Sequence, residues 1–172
     1  MKNIYEQFPT YETESFFLRL VKLDDAKDLL VCYSDKDNVK KFNADFCTND
    51  FYYSTLKEME NCIKFWLEEY QKQYYVRFSV ILKCNNKIIG TIEIFGGEAG
   101  VLRIDLSSEY NTENSFNEII KLTIEQFIDD FGIGSVKIKT SNIPEKINCI
   151  EALGFSHSET YRTGFGYHEY NI

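Results

Sequence analysis

Proline (two residues), histidine (two) and tryptophan (one) are scarce in this 172-residue sequence, and basic residues are outnumbered by acidic ones. The near-average composition and the absence of any repeat exclude a collagen-like or globally disordered chain. Five cysteines, Cys32, Cys47, Cys62, Cys84 and Cys149, are odd in number, widely spaced and form no Cys-x-x-Cys pair. They read as reduced, mostly buried thiols rather than a disulfide framework. The two histidines, His157 and His168, stand at no recognisable metal or triad spacing. Nineteen basic against 27 acidic residues give a net charge of −8 with no basic cluster. Backbone binding of nucleic acid needs Lys and Arg to displace counterions, so DNA and RNA are not expected partners, whereas cationic amines are mildly favoured. No apolar run approaches the roughly 20 residues that span a bilayer. The polar stretch Met1 to Glu14 has no apolar signal-peptide region, so a cytoplasmic protein without a membrane role is expected.

What the chain does have is 44% hydrophobic and 16% aromatic content, enough for one domain over residues 1–172 to bury its own core. Ser15 to Val21 reads as a strand, and Asp24 as the N-cap of a helix that follows. Lys36 to Asp50 is charged and irregular, suiting a loop or short helix. From Ser54 to Gln73, Leu56, Met59, Ile63, Trp66, Leu67 and Tyr70 recur at helical spacing as a core stripe. The period then switches to two. Val76–Leu82, a tight turn through Asn85-Asn86, Lys87–Phe95 broken by Gly96-Gly97, and Val101–Leu106 read as an antiparallel meander. Ser115–Phe131 is a helix ended by Gly132, Ser135–Thr140 a strand, and Pro144–Leu153 a helix capped by Gly154. Ser156–Arg162 and Tyr167–Ile172 complete the strands. Strand, helix, strand, helix demands a parallel pair with a right-handed crossover. The expected fold class is α+β: a mixed central sheet of about seven strands, helices on both faces, and the parallel pair in its middle.

The order of these elements, with FFLRLVKLDDAKDLLVCYSD at the start, IIGTIEIF at Ile88 to Phe95, LSSEYN before the second-half helix and the closing Glu-x-x-Gly-Phe word in IEALGF, resembles the GNAT superfamily of N-acetyltransferases, in its ribosomal-protein N-acetyltransferase branch. The resemblance runs from Phe16 to the C-terminus. It implies the acyl-CoA N-acyltransferase fold and acetyl-CoA as co-substrate, bound where Val101–Leu106 and Ser135–Thr140 splay apart. On this resemblance Ile104, Asp105 and Leu106 offer backbone groups to the pantetheine arm, and Asn142 contacts it. The pyrophosphate would then sit on the next helix N-terminus, at Asn111, Thr112, Asn114, Ser115 and Phe116.

At that loop the sequence departs from the family's Arg/Gln-x-x-Gly-x-Gly/Ala. It reads Asn111-Thr112-Glu113-Asn114-Ser115-Phe116, without a glycine and with an acid facing the pyrophosphate. Ser115 and Glu118 also fit a capping box, in which the helix satisfies its own N–H groups. Acetyl transfer to an amine needs a base, a polarised carbonyl and a proton for the leaving thiolate. Glu93 and Asp105 are the candidate carboxylates, with an Arg103–Asp105 surface pair as the plain reading of Asp105. The tyrosine that many relatives place in the closing helix is Ile150 here, so Tyr167 or Tyr170 of the tail is the candidate acid. The expected function is direct acetyl transfer from acetyl-CoA to a primary amine, either a small molecule or a peptide N-terminus. The alternative is a catalytically inactive binding or regulatory module on the same fold. No metal is expected, and a homodimer is compatible with either reading.

Overall fold

Alternation of apolar and polar residues produces the strands, and the computed structural model arranges them as one sheet; it describes residues 4–42, 50–95 and 100–172. Strand β1 (Tyr11–Glu12) precedes β2 (Phe16–Leu20), a 3-10 turn at Leu23–Asp25 and helix α1 (Ala26–Tyr33). Helices α2 (Lys36–Val39) and α3 (Leu56–Gln71) lead to β3 (Tyr75–Leu82), β4 (Ile88–Phe95) and β5 (Val101–Leu106). Helix α4 (Glu113–Leu122) runs through a π-helical turn, Thr123–Phe127, into α5 (Ile128–Phe131). Strand β6 (Ser135–Lys139), a 3-10 turn at Pro144–Lys146, α6 (Ile147–Ala152), β7 (Ser156–His157) and β8 (Tyr167–Asn171) close the chain.

The sheet has eight strands in the order β1-β2-β3-β4-β5-β6-β8-β7. Every neighbouring pair is antiparallel except β5–β6. The expected mixed sheet with a central parallel pair is therefore present. It carries one strand more than the expected seven, the two-residue β1, too short to leave a periodic signal. The tail strand expected over Ser156 to Arg162 is only the two-residue β7.

The long amphipathic helix begins two residues later than expected. Thr55 caps it by accepting from the Glu58 N–H at 3.3 Å, while the Glu58 carboxylate accepts from the Ser54 and Thr55 N–H groups at 2.8 and 2.9 Å. Met59, Ile63 and Trp66 are buried, and Leu56 at the helix end is exposed. In the first helical segment Asp25, not Asp24, is the residue that matters. Its carboxylate accepts from the Lys22 N–H, the Ser79 hydroxyl and both ends of the Arg19 guanidinium. Gly132 ends the α4–α5 helix in the left-handed region at φ 62°, as expected of a glycine cap. The Gly96-Gly97 break and Cys47 lie outside the described residues.

Alternation divides the sheet's side chains between two faces. One face, with Leu18, Phe78, Ile92, Ile104 and Ile138, packs on Phe116, Ile119, Ile120 and Phe127 of the α4–α5 helix and on Ile150 of α6. Each such fully buried side chain contributes about 1.5–3 kcal/mol. The opposite face meets α1 and α3 through Leu29, Tyr33, Met59, Ile63 and Trp66. Helices thus cover both faces.

Candidate functional site

The face under α1 and α3 is not apolar. Register sets Arg77 beside Glu93, Glu93 beside Arg103, and Thr91 beside Asp105, all pointing the same way. All five are at most 6% exposed. Arg103 lays Nε and a terminal nitrogen on Asp105, with Nε–Oδ2 at 2.8 Å and Nη2–Oδ2 at 2.7 Å. Tyr33 from α1 donates to the same Asp105 oxygen at 2.9 Å and meets the Thr91 hydroxyl at 2.8 Å. Arg77 donates to Thr91 at 2.9 Å and pairs with Glu93. A roof of π faces completes the site: the Arg77 guanidinium sits 4.1 Å from the Trp66 ring centroid and that of Arg103 3.5 Å from the Phe51 ring centroid. Gly90 makes this packing possible, because a Cβ there would overlap the Asp105 carbonyl.

Burial opposes the charge on Arg77, yet Glu93, then Tyr33 and Asp105, outweigh it and hold the guanidinium protonated above its ordinary range. The same balance, with Asp105 as the main partner, raises Arg103. Burial and the adjacent Asp105 charge push the Tyr33 phenol far up, so it acts as a neutral donor. The Arg103–Asp105 pair expected at the surface is in fact interior: Asp105 is fully buried and Arg103 1% exposed. The covering helices come from distant sequence, which a strand's own alternation does not report.

Tyr167 lies across the sheet on the same face. Val136 and Ile138 of β6 enter the apolar core, so Lys137 and Lys139 face the other way, and Tyr167 pairs in register with Lys139. It is 1% exposed, its ring stands edge-on to Tyr161 at 5.0 Å, and its hydroxyl has no hydrogen-bond partner among the described residues. Glu93 and Asp105 are thus brought together, while Tyr167 sits on the far side of the parallel pair.

Among the described residues that pair is joined in register at Val101↔Lys137, where the Lys137 N–H donates to the Gly100 carbonyl at 3.0 Å. Towards their carboxyl ends β5 and β6 separate, and side chains from other elements enter the gap. The Asn38 amide donates to the Leu106 carbonyl at 2.7 Å, the Asn111 amide donates to Asn38 at 3.3 Å, and the Asn142 amide donates to the Phe42 carbonyl at 3.1 Å. Lys146 reaches in from the opposite wall to Asn111 Oδ1, with its ammonium 3.6 Å from the Phe116 ring centroid. Carboxyl ends of parallel strands at a change of strand direction are where α/β sheets receive ligands.

At the foot of this gap α4 starts earlier than expected. Thr112 is the N-cap, accepting from the Ser115 N–H at 3.3 Å, and Ser115 is inside the first turn. The Ser115–Glu118 box is not formed. Glu118 instead accepts from the Ser15 N–H at 2.6 Å, so the β1–β2 turn takes it away from the helix terminus. The N–H groups of Glu113 and Asn114 have no protein acceptor among the described residues. Of the loop positions, Thr112, Glu113 and Asn114 are exposed, Asn111 half-buried, and Ser115 and Phe116 buried. Ile104 and Leu106 are buried in β5.

This topology is the one found in solved acetyltransferases. Similar structures include a GNAT-family acetyltransferase from Bacillus anthracis, 16% identical, with a TM-score of 0.69 over 95% of this chain and 98% of that one. The RimL ribosomal L7/L12 alpha-N-protein acetyltransferase in complex with coenzyme A is 10% identical, with a TM-score of 0.72 over 95% and 98%. The Microcin C7 self immunity acetyltransferase MccE in complex with acetyl-CoA and AMP is 12% identical, with a TM-score of 0.70 over 92% and 93%. The chain has the GNAT acyltransferase fold. No protein-family model and no curated protein matches the sequence.

Three members of the site escape a sequence reading. Arg77 hides between Val76 and Phe78 in an apolar strand, and Tyr33 reads as one of several core aromatics. Lys146 carries a usable signal: it lies three residues after buried Ile143 and four before buried Ile150, on the inward stripe of its turn. Among the described residues no three His, Cys, Asp or Glu side chains gather as metal ligands, and no helix is long and apolar enough to cross a membrane.

Proposed function

We propose that this chain is an acetyl-CoA-dependent N-acetyltransferase that passes the acetyl group directly to a primary amine, on a small molecule or a peptide N-terminus. One observation carries the reading: the parallel pair is tied at a single register position and opens beside a buried, charge-balanced belt. An opened pair offers strand-edge groups to an extended amide-bearing arm. The free N–H groups at the α4 terminus suit the coenzyme's diphosphate. Acetyl-CoA would supply the activated thioester, and the amine's nitrogen would attack its carbonyl carbon as the C–S bond breaks.

In this reading Glu93 takes the proton leaving the amine nitrogen, either directly or through water. Arg77 holds Glu93, and Asp105 holds Arg103 and Tyr33, so the carboxylate keeps one orientation. Tyr167 gives its unpaired phenolic proton to the departing thiolate from the far wall. Ile104, Asp105, Leu106 and Asn142 line the arm, and Asn111, Thr112, Asn114, Ser115 and Phe116 form the phosphate end. The cavity of about 400 Å³ lined by Tyr52, Tyr53, Glu58, Asn61, Cys62 and Phe65 suits a cationic acceptor, with π faces and one carboxylate. The same reading carries a cytoplasmic location and accommodates a homodimer.

Calorimetric titration with acetyl-CoA, followed by thiol release measured against a panel of amines and N-terminal peptides, tests the reading. Micromolar binding with amine-dependent thiol release is the expected result. A folded protein that binds neither acetyl-CoA nor desulfo-CoA overturns it and leaves a binding module on a transferase fold.

A further inference from the structure

Lys146 is a buried cation in the turn that leads into α6. It is 2% exposed, yet no carboxylate pairs with it among the described residues. Its three donors have one hydrogen-bond acceptor, the Asn111 side-chain carbonyl, and the ammonium otherwise faces the Phe116 ring. Both contacts lie in the segment that starts α4, where the helix dipole is already positive. The Glu113 and Asn114 N–H groups of that first turn have no acceptor among the described residues. A buried cation set against the positive end of a helix is unfavourable by itself and calls for an anion.

The charged groups around it do not supply one. Burial outweighs Glu145 and Glu113, which raise its proton affinity and are both exposed, while Lys41 opposes them. The half-buried Cys149 thiol is engaged with the Lys146 carbonyl at 3.1 Å. Burial dominates and brings the ammonium down to about 8.

We propose that Lys146 is the principal anion ligand of this chain: its ammonium, freed from Asn111, joins the Glu113 and Asn114 N–H groups in holding a diphosphate at the carboxyl end of the opened β5–β6 pair. A side-chain cation on the opposite wall thereby does what a glycine-rich backbone loop would otherwise do. This rests on the acetyl-CoA reading for the diphosphate's source, but the anion site itself stands on the geometry of Lys146.

The test compares wild type, Lys146→Met and Lys146→Gln by calorimetry with three probes: inorganic pyrophosphate, acetyl-CoA and pantetheine. The expected result is that wild type binds pyrophosphate and both variants bind it about tenfold or more weakly, with the same loss for acetyl-CoA. Pantetheine, which lacks phosphate, should bind all three alike. Without ligand, Lys146→Met should melt no lower than wild type, because it removes an uncompensated charge. Should one variant not fold, the other carries the comparison. Unchanged pyrophosphate affinity in a folded variant, or no pyrophosphate binding by wild type, overturns the proposal. Acetyl-CoA bound equally by all three proteins overturns it and leaves the transferase reading intact. Lys146-dependent pyrophosphate binding without acetyl-CoA binding upholds the anion site and sinks the transferase reading.

Discussion

The two faces of the central sheet are built from the same strands and obey different rules. Under α4 to α6 the strands present Leu18, Phe78, Ile92 and Ile104, and stability grows with the apolar area hidden. Under α1 and α3 they present Arg77, Glu93, Arg103 and Asp105, equally dry but stable only as a complete set. Replacing such a set by apolar residues of like volume is often neutral or stabilising, which makes it weak evidence of support and a fair candidate for use. The apolar face makes the fold, and the charged face carries the candidate site.

Breaking the set should have the largest effect. Asp105→Ala leaves Arg103 buried without its counter-ion and should lower stability by about 3–5 kcal/mol in urea denaturation. Replacing both partners, Arg103→Met with Asp105→Leu, should recover most of that loss. If it does not, the charged face is a structural core after all. On the other face, Phe78→Ala should cost about 3–5 kcal/mol by leaving a cavity, and no second-site change of charge should rescue it.

Tyr167→Phe separates support from chemistry. Its hydroxyl has no partner among the described residues, so stability should change by less than about 0.5 kcal/mol. The rate of acetyl transfer should fall about 100-fold if the phenol protonates the leaving group. An unchanged rate would remove Tyr167 from the reaction.

Lys146 gives the comparison a pH axis. Its proton affinity is lower folded than unfolded, so the unfolded chain binds the extra proton between about pH 8 and the ordinary lysine range. Stability attributable to this group should therefore rise with pH across that window, by about 1–3 kcal/mol, and lie at its minimum below it. The difference between wild type and Lys146→Met, followed by denaturation from pH 7 to pH 10, isolates it. The smallest effect belongs to the helix start: Thr112→Ala should cost about 1 kcal/mol, and Ser115→Ala less, because Thr112 is the cap.

Much of this architecture is legible in the amino-acid order. The bounds of β5 and the three-residue stripe of α3 follow from side-chain periodicity, and the crossover around the parallel pair follows from element order. Cap identity is harder. Thr112-x-x-Ser115 and Ser115-x-x-Glu118 both look like starts, and the choice falls to a bond between Glu118 and the Ser15 N–H, more than 100 residues away. Alternation correctly puts Arg103 and Asp105 on one side of β5. It cannot say that Tyr33, Phe51 and Trp66 will close over that side, because a strand that faces water and one that faces a buried charge set have the same pattern. The β1 strand, two residues long, leaves no pattern at all.

The one register pair between β5 and β6 among the described residues divides the sheet's strands into two sets, β1 to β5 and β6 to β8. Cooperative opening units tend to follow such seams, so the amides of β6 to β8 should exchange with solvent through a sub-global event that spares β2 to β5. A molecule that binds the native state across this seam would add its binding free energy to the joint between the two sets of strands. The effect of occupancy should then be read first in the exchange rates of the C-terminal strands, well before any change in the rest of the sheet.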